Sequence, residues 1–327
     1  MDASRSPESV FDALAARQLL IVSGKGGVGR TTVAALLGLA LARRGRKVLV
    51  ATVGLDDRLA WMLGLPTLHE TAVAAAPNLY VQRVVPHVCI REYGALILHS
   101  QRIADAVFDN APMRRLLRTI PGLDDFAILG KVWHESVRAH SFDAIIFDGP
   151  ATGHLRYTLG IPQAILRTLS VGPLPREARL MQDSLEDNNR VQAVLVGLPD
   201  RWPLSELGEM AGALREELHV NIGAVVVNGL WPELPALTGL SPDPTTAPAV
   251  ARVLAATTVV ARQARRQREG VAAWLAEERR KAGERPPVLA LPWRFQGFAG
   301  PQDLEQLLTG LERPDFGAAT TPDLRDR

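Results

Sequence analysis

Residues 23–32 read SGKGGVGRTT, with glycines at Gly24, Gly26, Gly27 and Gly29. A stretch this rich in glycine folds as a closely wrapped backbone loop. The apolar run Leu19–Ser23 precedes it, and the helical pattern Thr31–Arg44 follows. A strand, a glycine loop and a helix in that order aim successive N–H groups and the positive end of a helix dipole at one point, a place suited to phosphate oxygens. The phosphate-loop frame GxxxxGK[ST] runs from Gly24 to Thr31 and includes Val28, but its lysine slot holds Arg30. A second basic residue, Lys25, follows the first glycine. Thr31 is placed to ligate Mg²⁺, and Thr32 to reach an α-phosphate. A turn that merely links strand to helix needs fewer glycines. The altered slot leaves two readings open, a nucleotide-hydrolysing site or the shell of one.

Further β-rich runs fall at Lys47–Thr52, Asn78–Val85, Phe142–Asp148, Ala193–Leu198, Ile222–Asn228 and Val288–Leu291. Most are continuously apolar, the mark of strands covered on both faces. Helical patterns lie between them, such as Leu204–Leu218. The alternation predicts an α/β domain with a doubly wound, mostly parallel sheet. Two intervals, 86–140 and about 155–191, are too long for simple crossovers. They read as an inserted helical subdomain, broken at Pro112, at Pro121–Gly122 and at residues 172–175. Residues 1–17 read as an N-terminal extension, with Ser9 capping a short helix. The main body extends over 18–311, with a proline-rich loop at 231–246, a helix at 247–283 and a disordered tail at 312–327.

Composition excludes several classes. Net charge is +2, too small for a nucleic-acid footprint, and the run 262–270 reads as a solvated helix face. No nucleic acid is expected as a partner. The cations are nearly all arginine, the lysines being Lys25, Lys47, Lys131 and Lys281. One cysteine, Cys89, can build neither a disulfide framework nor a CxxC site. No signal peptide is evident, and Ala247–Ala261, broken by Arg252, is too short to span a bilayer. A cytoplasmic location is expected.

Three blocks carry a family resemblance. KGGVGRTT resembles the deviant Walker A loop KGGVGKTT of the class that holds the arsenite-pump ATPase (ArsA), the tail-anchored-protein targeting ATPase, MinD and ParA. FDGPATGHLRYTLGIP, residues 147–162, is similar to the switch II stretch FDTAPTGHTLRxLxxP of the ArsA and targeting branch. GAVVVNGLWP ends a strand at Asn228, where that branch reads adenine, and LALPWRFQGFAG, residues 289–300 with Pro292, resembles its adenine loop. The resemblance covers roughly 18–310 and implies a P-loop NTPase fold with ATP and Mg²⁺ as cofactors. It gives Gly24, Gly26, Gly27, Val28, Gly29, Arg30, Thr31, Thr32, Asn228 and Pro292 to the nucleotide. It gives Thr31 and, through water, Asp148 to the metal. It also implies that Lys25 reaches across a dimer to phosphates bound by the other subunit.

Two catalytic positions depart from the pattern. Arg30 is a longer, forked cation in the lysine slot. The family's switch I reads DPAHN, and its aspartate slot falls on Gly54, which cannot orient water. Asp56 and Asp57 follow close by. Phosphoryl transfer depends on positioning and charge stabilisation, so both changes bear on turnover more than on binding. Also absent are the targeting ATPase's zinc-binding cysteine pair, the pump's metalloid cysteines, and MinD's C-terminal basic amphipathic helix. The expectation is therefore an ArsA-type, nucleotide-dependent dimeric switch with slow ATP hydrolysis. The alternative is a regulatory pseudo-ATPase subunit paired with an intact paralogue, and a ParA- or MinD-like positioning ATPase ranks third. Client and membrane partner stay unspecified.

Overall fold

The computed structural model describes residues 6–54, 56–98, 102, 110, 112, 122–234, 247–283, 286–311 and 316. Much of 99–121, the loop residues 235–246 and nearly all of the expected tail lie outside the described residues.

Eight strands form one sheet: β1 (Leu19–Gly24), β2 (Val48–Thr52), β3 (Val73–Ala76), β4 (Leu79–Arg83), β5 (Ala144–Asp148), β6 (Val191–Gly197), β7 (Ile222–Leu230) and β8 (Val288–Pro292). Their order is β3-β4-β2-β5-β1-β6-β7-β8. Every pairing is parallel except β3 with β4. The seven strands expected from sequence all form. β3 was not expected, because Val-Ala-Ala-Ala has neither an apolar run of useful length nor alternation, and only pairing with β4 makes it a strand.

The apolar strand runs feed two cores. Leu19, Ile21, Ile145, Phe147, Ala193 and Leu195 face one side of the sheet. Their sequence neighbours Leu20, Val22, Ile146, Val194 and Val196 face the other. This is the period of two expected of strands covered on both faces. The second side is closed by α1 (Pro7–Ala15), α2 (Arg30–Arg43), α3 (Arg58–Met62) and a late helix, Pro301–Thr309. α1 starts at Pro7 rather than after Ser9. Its N-cap is Ser6, whose hydroxyl oxygen accepts from the Ser9 N–H at 3.3 Å. Val10, Phe11 and Leu14 of α1 are buried in this core. Arg44 pairs with Glu8 and with Asp12, so α1 is held by charge as well.

The first side carries α4 (Pro86–Leu98), α5 (Leu123–Trp133) with a π-helical turn at His134–Arg138, α6 (Thr152–Thr168) and α7 (Pro173–Glu186). α8 (Arg201–Glu216) and the long α9 (Ala247–Ala282) complete it. Tyr93 of α4, Phe126, Leu129 and Trp133 of α5, Leu155 of α6 and Met181 of α7 share one core with the sheet. The described helices α4 to α7 thus share one core with the strands. Lys131 pairs with Glu92 and with Glu135, which ties α4 to α5.

Close packing of α4 on α5 depends on Gly130. A Cβ there would fall 2.2 Å from Cε1 of Tyr93, whose ring is wholly buried and edge-on to Phe126. Gly130→Ala would gain about 1 kcal/mol of helix propensity but force the ring out of place. We expect a net loss of about 1–3 kcal/mol in urea unfolding. An unchanged or raised midpoint would show that the interface yields freely.

Candidate functional site

The strand order changes direction beside β1, and the loop that leaves β1 there opens at the carboxyl edge of the sheet, where ligands of doubly wound folds bind. Gly24 ends β1 against β6, and a Cβ at Gly24 would lie 2.2 Å from the Val196 carbonyl oxygen. Gly29 has φ +93° and caps α2. A Cβ there would fall 2.3 Å from Nδ2 of Asn228. Gly26 and Gly27 form the open crest of the loop, and Val28 is buried beneath it. Thr31 and Thr32 stand in the first turn of α2, half-buried.

Asp148 ends β5 with Val22 and Thr52 as its neighbours in the sheet. It is 4% exposed. Its Oδ2 accepts hydrogen bonds from the hydroxyls of Thr31 at 2.8 Å and Thr52 at 3.0 Å. The Thr52 hydroxyl in turn accepts the Gly54 N–H at 3.1 Å. One carboxylate thus joins the loop helix, the end of β2 and the start of the 53–57 segment. Burial pushes its pKa above the usual carboxylate range. The two hydroxyls and Arg30 pull it down, and Asp56 adds to the rise. The Thr31 and Asp148 oxygens are the hard donors that Mg²⁺ takes, one or two at a time, alongside phosphate and water. Among the described residues, no three or more His, Cys, Asp or Glu side chains are grouped so as to hold a metal ion by themselves.

The two cations of the loop each have an acceptor in their own chain. Arg30 Nη1 donates to the Gly149 carbonyl at 2.5 Å, which docks the guanidinium on the residue after Asp148. Burial draws its pKa down from the ordinary value, and the Asp148 charge opposes that. Lys25 Nζ meets Glu206 Oε1 of α8 at 2.5 Å. Lys25, which the resemblance aims at a facing subunit, thus has an acceptor within its own chain.

The 53–57 segment separates its two aspartates. Asp57 accepts from the Leu68 N–H, the Thr67 hydroxyl and Arg83 Nη2. These hold its carboxyl below the usual range and commit it to pinning 67–68. Asp56 Oδ1 accepts the Arg58 N–H at 3.2 Å, and its charge adds to the rise at Asp148. Gly54 has no left-handed φ, and a Cβ there would sit 3.3 Å from Thr52 Oγ1 and 3.9 Å from Asp56 Oδ1. A side chain fits at Gly54 after small shifts.

Asn228 Nδ2 donates to the Val28 carbonyl at 2.8 Å, so this residue braces the loop from β7. Pro292 ends β8 opposite Leu230 and next to Trp293. His154, one turn into α6, is hydrogen-bonded to Asp125 of α5 at 2.7 Å, and Thr158 donates to the same oxygen. The segment after Asp148 is thereby tied to the helical layer. Cys89 is buried, its thiol pushed up to about 12 by desolvation, and is chemically quiet.

Sequence reasoning missed Thr52 and Glu206. Thr52 left a signal, a hydroxyl residue ending an apolar strand. Glu206 left none, because only the packing of α8 beside the loop brings it to Lys25.

The doubly wound sheet, the glycine loop at the head of α2 and the strand-end aspartate define a P-loop NTPase fold. The family model of the anion-transporting ATPases matches residues 17–172, and over this part the chain is of the ArsA type. ATPase BagA of Mycobacterium tuberculosis is 29% identical over 227 residues, covering 64% of this chain and 64% of its own. The arsenical pump-driving ATPase of Escherichia coli is 27% identical over 224 residues, 65% of this chain and 35% of that one. ATPase get3 of Schizosaccharomyces japonicus is 27% identical over 199 residues, 58% and 60% of the two chains. The chain thus spans about 64% of the length of the mycobacterial relative.

The raised pKa of Asp148 sets a pH dependence. The unfolded chain releases this proton near 3.8, the folded chain at a higher pH. The contribution of Asp148 to stability is therefore full below 3.8 and lost as pH rises through the folded value. At neutral pH the ionised group costs stability. Asp148→Asn keeps an oxygen for both hydroxyls, so it should raise the melting temperature at pH 7 without nucleotide, with less gain at pH 4. It should also abolish any further rise on adding Mg-ATP. A lower melting temperature at pH 7 would show that Asp148 holds the site together by its charge.

Proposed function

We propose that the chain is an ATP-binding, nucleotide-dependent switch of the ArsA type, acting as a dimer in the cytoplasm with slow ATP hydrolysis. The single observation that carries this reading is the shared carboxylate of Asp148, which joins Thr31 of the phosphate loop to Thr52 and, through it, Gly54. Thr31 and Asp148 would hold Mg²⁺, which when bound neutralises charge on phosphoryl oxygens. Backbone amides from Gly26 to Thr32 would cradle the phosphates. Asn228 and Pro292 would border the adenine end, with Asn228 also fixing the loop through Val28.

Slow turnover follows from two positions. Arg30 must leave the Gly149 carbonyl to meet a phosphate, and its planar fork does not place charge where an ammonium would. Gly54 offers no group to orient water. A second reading is a non-catalytic subunit paired with a paralogue that supplies the missing groups. It is favoured by the engagement of Asp57 with Leu68, Thr67 and Arg83, which removes one carboxylate that could stand in for the missing aspartate. The helical layer formed by α4 to α7 would report nucleotide state to a client through the Asp125–His154 contact.

Calorimetry should give a dissociation constant in the micromolar range for Mg-ATP, about −8 kcal/mol. No heat at millimolar nucleotide would end the reading. Arg30→Lys with Gly54→Asp should raise ATP turnover well beyond either change alone, because groups acting as one unit are strongly non-additive. Wild-type turnover that the double change leaves untouched would place the catalytic groups elsewhere.

Assembly gives a separate test. An ion pair as exposed as Lys25–Glu206 is worth at most about 1 kcal/mol, so a phosphate on a facing subunit can draw Lys25 away. Sedimentation should show a monomer or weak dimer without nucleotide and a tighter dimer with Mg-ATP. Lys25→Ala should abolish the tightening. Glu206→Gln should strengthen it by up to roughly fivefold. Normal dimerisation of Lys25→Ala would refute the cross-subunit role, and a dimer seen only on mixing with an intact paralogue would select the second reading.

A further inference from the structure

Helix α9 is 36 residues long, and its first half leaves the body of the protein. Nearly every described residue from Pro248 to Arg262 is exposed or half-exposed, and packing begins only at Ala264, Gln267 and Val271. Arg252, Ala255, Ala256, Val259, Arg262 and Arg266 recur at the three- and four-residue spacing that places them along one side of the helix. No acidic residue occurs between Ala247 and Arg268. Glu269 and Glu233 flank this stretch, and each is paired, with Arg265 and Arg268 respectively. Among the described residues no carboxylate pairs with Arg252, Arg262 or Arg266.

This basic side runs into an aromatic surface. Trp231 is anchored by its N–H to Gln267 Oε1 at 2.9 Å and by its carbonyl to Arg268 at 2.9 Å. Its ring lies 6.4 Å from that of Trp293 and 5.5 Å from that of Phe295, centre to centre. Trp293 is 46% exposed, Phe295 58% and Val259 61%. Trp231, Val259, Arg262, Gln263 and Arg266 line a hollow of about 190 Å³ between the two surfaces. That is smaller than the roughly 300–1,000 Å³ of a typical small-molecule site.

We infer that this face, the aromatic cluster Trp231–Trp293–Phe295 with the arginine-lined side of α9, docks on an anionic lipid bilayer. The chemistry matches on three counts. Exposed Trp and Phe take the headgroup level of a membrane, where one side of the ring is apolar and the other wet. Arginines lay their stems along apolar surface while their charged heads meet lipid phosphates. A helix side whose three cations pair with no carboxylate among the described residues suits a broad surface of a single negative sign. No described helix is long and apolar enough to cross the bilayer, so the contact lies on the surface. Trp293 also packs against Gly229, beside Asn228, which sets the docking face next to the nucleotide loop.

The test is sedimentation of the full chain, without nucleotide, with vesicles of phosphatidylcholine alone or with one-third phosphatidylglycerol. The protein should sediment with the anionic vesicles at low salt, release at high salt and ignore the neutral ones. Its tryptophan emission should shift to the blue. Arg262→Ser with Arg266→Ser should weaken partitioning about 30-fold, from the usual contribution of two cations near an anionic surface. Trp293→Ser with Phe295→Ser should weaken it too and remove most of the emission shift. All four side chains are on the surface, and an unchanged melting temperature confirms that each variant folds. Failure to sediment with anionic vesicles overturns the inference, as does equal partition to neutral ones. Binding that loses nothing when the aromatic pair is replaced also overturns it, by reducing the contact to charge alone. Retention on immobilised polyglutamate without vesicle binding overturns it in favour of an acidic polypeptide partner.

Discussion

A carboxylate buried at the end of a central strand is costly unless its surroundings compensate for it. Asp148 is compensated by two hydroxyls and a nearby guanidinium, and the compensation is incomplete, since its pKa stays raised. Much of the site's arrangement follows. Thr31 must lie in the first turn of α2, Thr52 must end β2 level with Asp148, and Gly54 must turn its N–H back on Thr52. A cation arriving at the same oxygens would relieve this residual cost.

The cations of the loop obey a related logic. Arg30 rests on the Gly149 carbonyl and Lys25 on Glu206. A phosphate bound here would compete with the first through a half-buried contact and with the second through an exposed one. The exposed pair is weak and screened by salt, whereas the Arg30 contact is half-buried and reaches the backbone that leads into α6. Movement of Arg30 therefore bears on the 149–154 segment, and from there on Asp125 through His154.

The sheet was legible in the sequence because each central strand carries an unbroken apolar run whose alternate residues enter opposite cores. β3 was not, because alanines that gain strand geometry only by pairing leave no periodic trace. The loop, Thr31 and Asp148 were legible because glycine spacing and a strand-end acid are local signals. The partners of Lys25, Arg30 and Asp57 were illegible, since each depends on packing between segments far apart in the chain. In sequence Asp57 was one of two aspartates close behind the Gly54 slot. Its geometry makes it a brace for residues 67–68.

The strand order also governs how the chain meets the ribosome. β1 has only β5 and β6 as neighbours, and Leu19 pairs with Ile145, roughly 125 residues later. At about 5–20 residues per second of synthesis, β1 waits roughly 6–25 s for its first partner. β2 and β4 pair meanwhile without it. For that interval the apolar run Leu19–Val22 is a sticky nascent segment, and a cell making this protein must shield it, with a chaperone or by slow collapse against α1 and α2, until the centre of the sheet emerges.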